Sequence, residues 1–546
     1  MLIPGGSAST IGSAFFKAAE LYKERPFLAA PPNPQRPYHP GGIEIGFGEA
    51  AEAVDTLVGL YRDAGVGVGT RVALLLDSQP EHFLHKLALN TLGACCVPVN
   101  PDYRPAEIAY LVDHAKVDLV LVLTRRAEQL AAGLAEAVHR PPVALLEEAA
   151  AGLPGIARRA ERGDIDAGMP ASILYTSGTT GRPKGCLLSH RYELASGFWY
   201  ATRRGLATLG DGGERVYNPL PLYHCNAGVL SFFGVMLSGN CQVQTDRFSP
   251  QRWWDEVIET RASVVHYLGV IIPLLLGRPP SPTDRAHAVR FGLGAGVEPQ
   301  LHAAFEERFG FPLVEVWGMT EMVRILTDNE PPRRVGTRCF GRAVPEVEVR
   351  VVDEADRDVA TDAPGEMLIR HSARTPREGF FSGYLDDEAA TAAAWKGGWF
   401  HTGDIVSRDA DGFLHFVDRK KNIIRRSGEN IAAAEIEALL LTHPKVRQAA
   451  VLAVPDEVRE EEVFAAVVLV EGTTGDEAAA RDVFDFCFAR LAYFKAPGYV
   501  HFAASLPTTG TQKIQKHQIF PAGSDPRSGP GTYDLRSLKR RSEGKG

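Results

Sequence analysis

The sequence predicts a two-domain α/β protein, and three observations carry that prediction. The chain has 546 residues, which is more than one hydrophobic core usually supports. Over most of its length short apolar runs alternate with amphipathic helix-like stretches, a pattern typical of layered α/β architecture with buried sheets. Beyond Asp418 the pattern becomes that of a smaller α+β unit. We therefore expect a large multi-layered N-terminal domain at 1–417, a small mobile α+β domain at 418–520 and a flexible tail at 521–546.

Local patterns predict the individual elements. Buried strands are expected at Val72–Leu76 and Val117–Leu123, with a helix at Glu81–Leu92 between them. Apolar and polar residues alternate in Glu346–Asp353 and Phe413–Asp418, as in antiparallel strands with one solvated face. The small domain should contain two helices and two strands, at Ala432–Thr442, Gln448–Val454, Val463–Val470 and Glu477–Ala492. The segment from Pro521 is rich in Gly, Ser, Pro and basic residues, which favours a loosely ordered tail.

Composition excludes several classes of protein. The formal net charge of -8 argues against a dedicated nucleic-acid binder, whose surface normally carries a basic excess. No apolar run is long enough to span a bilayer, and the N-terminus lacks a signal-peptide pattern. The seven cysteines form no CxxC pair, so free thiols in a reducing cytoplasm are expected. The assembly stays open, with a homodimer as one option.

The most informative segment is Ser172–His190, SILYTSGTTGRPKGCLLSH. An apolar strand leads into ten residues with four hydroxyl side chains, three glycines and a lysine. Polyphosphate binding needs such donors, because glycines let backbone N–H groups approach and a lysine adds a mobile charge. The common GxxxxGK[ST] loop is absent. Composition alone leaves an ordinary polar loop as an equal alternative.

The ordered string resembles the phosphate loop of the adenylate-forming superfamily, which contains acyl-CoA synthetases, adenylation domains of peptide synthetases and firefly-type luciferases. The resemblance implies that ATP is a substrate and that the loop holds its phosphates. The residues concerned are Thr176, Ser177, Gly178, Thr179, Thr180, Gly181 and Lys184.

Two further motifs of the large domain fit the same family. Trp317-Gly318-Met319-Thr320-Glu321 is similar to the motif in which the threonine contacts phosphate and the glutamate holds Mg²⁺. As a hard cation, Mg²⁺ favours carboxylate and phosphate oxygens. Gly294-Ala295-Gly296 resembles the turn against which adenine packs. Without the neighbouring motifs it would be interpreted as a plain turn between strand and helix.

The motifs near the domain boundary imply nucleotide contacts and a hinge. Asp404, in a TGD motif, would accept hydrogen bonds from the ribose hydroxyls, for which an ionised carboxylate is suited. Asp418-Arg419-Lys420-Lys421 resembles the hinge at 418–422, with Arg419 on the nucleotide and Lys421 as the pivot. In the loop Ser427–Ile431, Gly428 and Glu429 would reach the site during the coenzyme A step.

The C-terminal motif contains the lysine expected to act in adenylation. Lys513 matches it best, although the preceding position, usually glycine in the family, is Gln512. Lys516 is therefore a rival.

The acid pocket is expected around Tyr223-His224, which matches a family motif, with Trp199, Tyr267 and Gly269 nearby. A lone histidine is more often structural, but its place in the motif favours a pocket wall. The aromatic side chains could enclose a quaternary ammonium group or line a slot for an aryl or short aliphatic acid.

The resemblance implies an ATP-dependent carboxylate–CoA ligase that uses Mg²⁺, ATP, coenzyme A and a small carboxylic acid. It is nearest to the carnitine/crotonobetaine-type CoA ligases, chiefly in DRKKNIIRRSGENI. The alternatives are a stand-alone adenylation enzyme that loads a separate carrier protein and a non-catalytic nucleotide-binding relative. Oxidative light-emitting chemistry is a remote third.

Overall fold

The computed structural model describes residues 9–158, 160, 163–176, 183–426, 429–457, 459–491, 493–509, 513–521 and 523–539. At Lys421, Arg425, Glu429, Asn430 and Glu460 it describes the backbone only. The chain divides into two compact units. The first comprises Met1–Glu348 and Arg370–Phe400, and the second comprises Val349–Ile369 and His401–Gly546.

The helices of the first unit are α1 (Ile11–Leu21), α2 (Phe47–Asp63), α3 (Pro80–Thr91), α4 (Pro105–Ala115), α5 (Ala127–Glu136), α6 (His190–Ala201), α7 (Phe232–Ser238), α8 (Trp253–Glu259), α9 (Ile271–Leu276), α10 (Pro299–Phe309) and α11 (Glu388–Ala394). Those of the second unit are α12 (Ala433–Leu440) and α13 (Glu477–Phe488). None of the helices that the structure describes is both long and apolar enough to cross a membrane.

One sheet of the first unit contains β3 (Arg71–Leu75), β4 (Cys95–Pro98), β5 (Leu119–Val122), β6 (Val143–Leu145), β7 (Pro170–Thr176), β8 (Lys184–Ser189) and β17 (Gly383–Tyr384). Its order is β17-β8-β7-β4-β3-β5-β6, and the strands from β7 to β6 run parallel. Strands β3, β4 and β5 are apolar almost throughout because both faces of a parallel sheet are covered.

The other sheet contains β1 (Pro26–Ala30), β2 (Ile43–Gly46), β9 (Arg215–Asn218), β10 (Cys241–Gln244), β11 (Val264–Leu268), β12 (Phe291–Ala295), β13 (Leu313–Met319) and β14 (Met322–Thr327). Its order is β14-β13-β12-β11-β9-β10-β1-β2. Strands β11, β12 and β13 are parallel neighbours, so their carboxyl ends lie at one edge of the sheet. Three of the predicted site segments follow those ends directly, as ligand-binding segments of α/β sheets commonly do.

The remaining strands are β15 (Glu348–Val352), β16 (Gly365–Arg370), β18 (Trp395–Lys396), β19 (Trp399–Arg408), β20 (Leu414–Arg419), β21 (Ile423–Arg426), β22 (Glu429–Ala432), β23 (Val446–Asp456), β24 (Glu460–Leu469), β25 (Tyr499–Phe502) and β26 (Thr532–Asp534). Strands β15, β16, β19 and β18 form a small sheet in that order, with β20 antiparallel to β19. Strands β22, β21, β24, β25 and β26 form another, with β23 paired to β24. Helices α12 and α13 cover a core that includes Ile436, Val467 and Phe484.

The predicted fold class is confirmed: a large α/β part with buried sheets is followed by a small α+β part. The predicted elements also appear, with ends shifted by at most four residues, which is common at the ends of helices and strands. The seven cysteines are free, as expected. The hinge at 418–422 and the mobility of the small domain stay predictions.

The expectation of a loose tail from residue 521 does not hold for residues 523–539. Strand β26 pairs with β25, and Leu535 is buried in the core of the second unit. Composition alone did not indicate this order, because one short edge strand and a single buried leucine are enough to anchor a segment that is polar elsewhere.

Candidate functional site

The strands β7 and β8 place two of the predicted phosphate ligands opposite each other. They form an antiparallel pair in which Thr176 is in register with Lys184. The glycine-rich loop therefore connects the two ends of a hairpin, and its first and last predicted ligands form the base. The other predicted residues of the phosphate loop lie outside the described residues: Ser177, Gly178, Thr179, Thr180 and Gly181.

A second hairpin positions Glu321. Met319 at the end of β13 pairs with Met322 at the start of β14, so Thr320 and Glu321 form the turn between them. Gly318 is required here, because a Cβ at this position would lie 2.4 Å from Cγ2 of Ile325 on the partner strand. Trp317 is 5% exposed and anchors the hairpin in the core, while Glu321 is 7% exposed.

Tyr384 connects the two hairpins. It pairs with Cys186 across β17 and β8, and its hydroxyl donates a hydrogen bond of 2.8 Å to Oε1 of Glu321. The Nζ of Lys184 lies 4.9 Å from the centre of the Tyr384 ring, within the range of a cation–π interaction. Lys184, Tyr384 and Glu321 are therefore neighbours, although they are far apart in the chain. Sequence reasoning missed Tyr384.

Three ionisable groups around Glu321 have raised pKa values. Burial raises the pKa of the Cys186 thiol well above its ordinary value, and the nearby Glu321 raises it further. Burial and the same carboxylate also raise the pKa of the Tyr384 phenol. The pKa of Tyr192, whose hydroxyl donates to the carbonyl of Thr320 at 2.8 Å, is raised first by burial. All three groups therefore stay neutral near pH 7.

These residues fit Mg²⁺ held together with a nucleotide. Within the described ranges there is no cluster of three or more His, Cys, Asp or Glu side chains suited to a metal ion. When the phosphates of a nucleotide supply most of the oxygen ligands of Mg²⁺, the protein needs to supply few, and one buried carboxylate beside a lysine-containing loop fits that case. Glu321 would hold the ion.

The turn Gly294-Ala295-Gly296 is held by Glu315, a residue that sequence reasoning also missed. Oε2 of Glu315 accepts a hydrogen bond of 3.1 Å from the Gly296 N–H, and Oε1 accepts one of 3.2 Å from the Val297 N–H. Gly296 has a φ of +86°, in the left-handed region that favours glycine. Burial raises the pKa of Glu315 to about 7. The carboxylate therefore fixes the turn through two backbone donors.

Tyr267 and Gly269 support the same turn. The Tyr267 hydroxyl donates to Oε1 of Glu315 at 2.8 Å, and the side chain is 1% exposed. A Cβ on Gly269 would lie 1.8 Å from the carbonyl oxygen of Gly296, so only glycine fits there. The prediction that the Tyr267 side chain lines the acid pocket finds no support in this geometry, since its ring and hydroxyl are enclosed by the turn.

Tyr223 and His224 precede a π-helical turn. Both are partly buried, with ring centres 4.6 Å apart. The π-helix spans Asn226–Ser231, a rare conformation that is frequent at functional sites. Oδ1 of Asn226 accepts hydrogen bonds from the Asn218 side chain at 3.0 Å and from His266 at 2.7 Å. The fifth predicted pocket residue, Trp199 on α6, is 5% exposed and lies under the guanidinium of Arg203.

Two of the predicted nucleotide residues pair in the second unit, and a third interacts with them electrostatically. Asp404 pairs with Arg419 across β19 and β20, and Oδ1 of Asp404 lies 3.5 Å from Nε of Arg419. The charge of Lys513 interacts with both, unfavourably with Arg419 and favourably with Asp404. The rival Lys516 instead forms an ion pair of 2.8 Å with Glu437.

The backbone around Lys513 forms a closed turn. Thr508 bridges to Ile514, and the Thr509 N–H donates to the Lys513 carbonyl at 2.8 Å. The residues between them, Gln512 included, lie outside the described part. Lys513 thus lies at the C-terminal end of these contacts.

The predicted hinge is a 3-10 turn at Lys420–Asn422. Asp418 fixes its start, because Oδ1 accepts a hydrogen bond from the Asn422 side chain at 3.1 Å and Oδ2 accepts one from the Ala434 N–H at 2.8 Å. Gly428, predicted for the coenzyme A step, lies outside the described residues, as do the side chains of Lys421 and Glu429.

Comparison with known proteins gives relatives along most of the chain. The crotonobetaine/carnitine–CoA ligase of Proteus mirabilis is 30% identical and covers 87% of this chain and 93% of its own length. The enzyme of the same name from Salmonella typhi is 29% identical over the same shares.

Solved structures also match. ATP-bound MatB from Rhodopseudomonas palustris is 25% identical, with a TM-score of 0.75 over 93% of this chain and 98% of that chain. The O-succinylbenzoate coenzyme A synthetase of Bacillus subtilis in complex with AMP is 23% identical, with a TM-score of 0.77 over 94% of this chain and 99% of that one, and shows the shared fold.

Family models match in both parts of the chain. Residues 15–385 match the AMP-binding enzyme model, and residues 435–513 match the model of the C-terminal domain of AMP-binding enzymes. With the phosphate-loop hairpin, the Glu321 turn and the Asp404–Arg419 pair in place, the chain belongs to the AMP-binding enzyme family of adenylate-forming ligases.

Proposed function

We propose that this protein is an ATP-dependent carboxylate–CoA ligase, which forms an acyl-adenylate with release of pyrophosphate and then an acyl-CoA thioester with release of AMP. The observation that carries the proposal is that both Lys184 and Glu321 contact Tyr384, Lys184 over the ring and Glu321 at the hydroxyl. A cation from the phosphate loop and a carboxylate suited to Mg²⁺ are thereby brought into one site. The relatives named as CoA ligases support thioester formation as the second step.

In the first step the carboxylate of the acid attacks the α-phosphate of ATP, and the bond to pyrophosphate breaks. Negative charge grows on the phosphoryl oxygens and on the leaving group, so donors aimed at those atoms lower the barrier. Thr176 and Lys184 supply a hydroxyl and a cation at the base of the phosphate loop. Mg²⁺ bound at Glu321 would neutralise phosphate charge.

The nucleoside would be bound by two separate elements. The turn Gly294-Ala295-Gly296 offers a flat backbone surface for adenine, because its glycines leave no side chain in the way. In the second unit the buried carboxylate of Asp404 is suited to accept hydrogen bonds from the ribose hydroxyls, with Arg419 alongside. Lys513, next to both, would bind the α-phosphate and the attacking carboxylate during the first step.

In the second step the thiol of coenzyme A attacks the carbonyl carbon of the adenylate, and AMP leaves. We propose that the small domain rotates about Lys421 between the steps, which would exchange Lys513 for the loop that contains Gly428 and Glu429. His224 and Tyr223, held by the π-helical turn, are the proposed wall of the acid pocket.

A panel of acids tests the proposal. It includes a quaternary ammonium acid, an aryl acid and a short aliphatic acid, each scored for pyrophosphate release with and without coenzyme A. We expect sustained turnover with one class when coenzyme A is present, and little more than one equivalent without it. Turnover that needs a carrier protein would refute the choice of acceptor, and no release with any acid would favour a non-catalytic relative.

Two variants serve as internal controls. Lys184→Ala should reduce pyrophosphate release by roughly 30-fold or more, since one donor to developing charge is lost. Lys17, exposed on α1, provides the matched change, and Lys17→Ala should leave the rate unchanged.

A further inference from the structure

The C-terminal segment 523–539 is a structural part of the second unit that lies beyond the family match. The model of the C-terminal domain ends at residue 513. Strand β26 nevertheless extends the sheet, with Val500 opposite Tyr533. The Leu535 N–H donates to the Gly498 carbonyl at 2.8 Å, and the Tyr533 hydroxyl donates to the Gly475 carbonyl at 3.1 Å. The segment therefore reaches the core through ordered contacts.

Lys539, near the end of this segment, belongs to a buried cluster of three charges. Its Nζ lies 2.5 Å from Oε1 of Glu462, and Nε of Arg426 lies 2.8 Å from Oε2 of the same carboxylate. The side chains of Lys539 and Glu462 are 0% exposed and that of Arg426 is 3% exposed. Nζ of Lys539 also donates to the carbonyl of Phe494 at 3.0 Å. Such a cluster is costly to bury, so its presence calls for a role other than simple packing.

The fold reserves space for this cluster. A Cβ on Gly498 would lie 2.5 Å from Cγ of Glu462, so a side chain at this position would displace the carboxylate. Oε1 of Glu462 also accepts a hydrogen bond of 2.8 Å from the Val463 N–H. With donors on both oxygens, the carboxylate is held in one orientation.

Through Arg426 the cluster reaches the hairpin of β21 and β22. Arg426 is the last residue of β21, and it pairs with Glu429 on β22 and with Glu460 on β24. Ser427 and Gly428, which connect Arg426 to Glu429 in the chain, belong to the segment for which the family resemblance implies a role in the coenzyme A step. Arg426 and Glu429 are thus the paired strand ends on either side of those two residues.

We propose that Lys539 is a positioning residue for the thioester step, which acts through Glu462 and Arg426 to fix the end of the β21–β22 hairpin. This inference rests on the proposed function for the identity of the step, while the structural coupling stands independently of it. Lys539 holds one oxygen of Glu462, which leaves the other for Arg426. Without the lysine, the Arg426 guanidinium can bind either oxygen of the Glu462 carboxylate. The end of the hairpin is then no longer held in one position.

Lys539→Met tests the coupling, because methionine keeps much of the length of the side chain but removes the charge. Glu462 and Arg426 remain as a one-to-one pair, so the unit should still fold. If Lys539→Met does not give folded protein, Lys539→Gln, which removes the charge but keeps a neutral donor for Glu462, takes its place as the test of the lysine charge. The control is Lys445→Met, which removes a lysine from the exposed pair with Asp482 in the same unit.

The two half-reactions are measured separately. Pyrophosphate release from acid and ATP should stay within about twofold of the original enzyme. Thioester formation from pre-made acyl-adenylate should fall by roughly 10- to 100-fold, since small misplacements of a positioning element have effects on the order of a hundredfold. An equal loss in both half-reactions, or no loss in either, would overturn the proposal.

A pH series adds a signature that a general loss of stability would not produce. Burial lowers the pKa of Lys539 to about 8, with Glu462 opposing the shift and Arg426 and Arg459 contributing to it. The ratio of thioester rates between the original enzyme and Lys539→Met should therefore be largest below pH 8 and decline at higher pH. A ratio that is constant with pH contradicts the role of the lysine charge.

Hydrogen exchange separates failure of this inference from failure of the proposed function. In Lys539→Met, the amides of Ile423–Arg426 and Glu429–Ala432 should exchange faster than in the original protein. In Lys445→Met, their exchange rates should be unchanged. Unchanged exchange in both variants refutes the coupling, whatever the reaction is. Faster exchange in a protein that releases no pyrophosphate with any acid would refute the proposed function and retain the coupling.

Discussion

Replacing Lys513 by alanine removes the ammonium group that interacts with Asp404 and Arg419 in the second unit. If this group stabilises the charge that develops on the α-phosphate, its loss should affect the first half-reaction only. The expected cost is about 2–4 kcal/mol, as for other preorganised donors, which corresponds to roughly 30- to 1,000-fold in rate. Thioester formation from pre-made acyl-adenylate should remain near its original rate.

Lys516 provides the matched control three residues further on. Its Nζ is engaged by Glu437 at 2.8 Å, and each side chain of the pair is 21% exposed. Because Glu437 also accepts a hydrogen bond from the Val451 N–H at 2.7 Å, the pair is part of the packing of the second unit. Lys516→Ala should lower the free energy of unfolding by about 1 kcal/mol or less and leave both half-reactions intact.

The assay follows pyrophosphate release from acid and ATP by stopped-flow, and thioester formation from adenylate and coenzyme A by chromatography. Denaturation curves of each variant exclude unfolding as the cause of a lost rate. If Lys516→Ala shows the step-selective defect and Lys513→Ala does not, the assignment of the adenylation lysine is wrong.

Three further predictions concern other parts of the site. Tyr384→Phe removes the hydroxyl that donates to Glu321, so the concentration of Mg²⁺ needed for half-maximal adenylation should rise several-fold, while an unchanged requirement would argue against Glu321 as the metal ligand. Because burial raises the pKa of Glu315 from 4.5 to about 7, this group contributes stability that is full below pH 4.5 and is lost as the pH rises through about 7. In urea titrations at several pH values, the free energy of unfolding of the original protein should fall by roughly 3 kcal/mol over that interval, and that of Glu315→Gln should not. An equal dependence on pH in the two proteins would contradict the assignment. Lys421→Pro fixes φ at the hinge and should reduce thioester formation far more than adenylation; equal losses would remove the reason to call Lys421 a hinge.

Local sequence was sufficient for the segments whose geometry is encoded by neighbouring residues. The Trp317–Glu321 turn is a contiguous motif, and the alternation in Phe413–Asp418 predicted an antiparallel strand that appears as β20. In each case the spacing of apolar, glycine and hydroxyl residues already specifies the local backbone.

Contacts between distant segments could not be predicted in this way. Tyr384 meets Glu321 across 63 positions, and Lys539 meets Glu462 across 77. Nothing in the residues around Tyr384 separates it from other aromatic residues, and the polar composition around Lys539 indicated a loose tail. Tyr267 shows the converse case, because a residue near the right strand end was assigned to the pocket although its side chain faces Glu315. Only the packing of the sheet determines to which side a side chain points.

If a carboxylate oxygen attacks the α-phosphate of ATP, that oxygen leaves with AMP, and an isotope label on the acid follows it. The accepted acid is labelled with oxygen-18 in its carboxylate, and the nucleotide product is analysed by mass spectrometry after turnover with ATP, Mg²⁺ and coenzyme A. We expect AMP with one labelled oxygen on its phosphate, together with unlabelled pyrophosphate. Label in inorganic phosphate, with ADP as the nucleotide product, would contradict it.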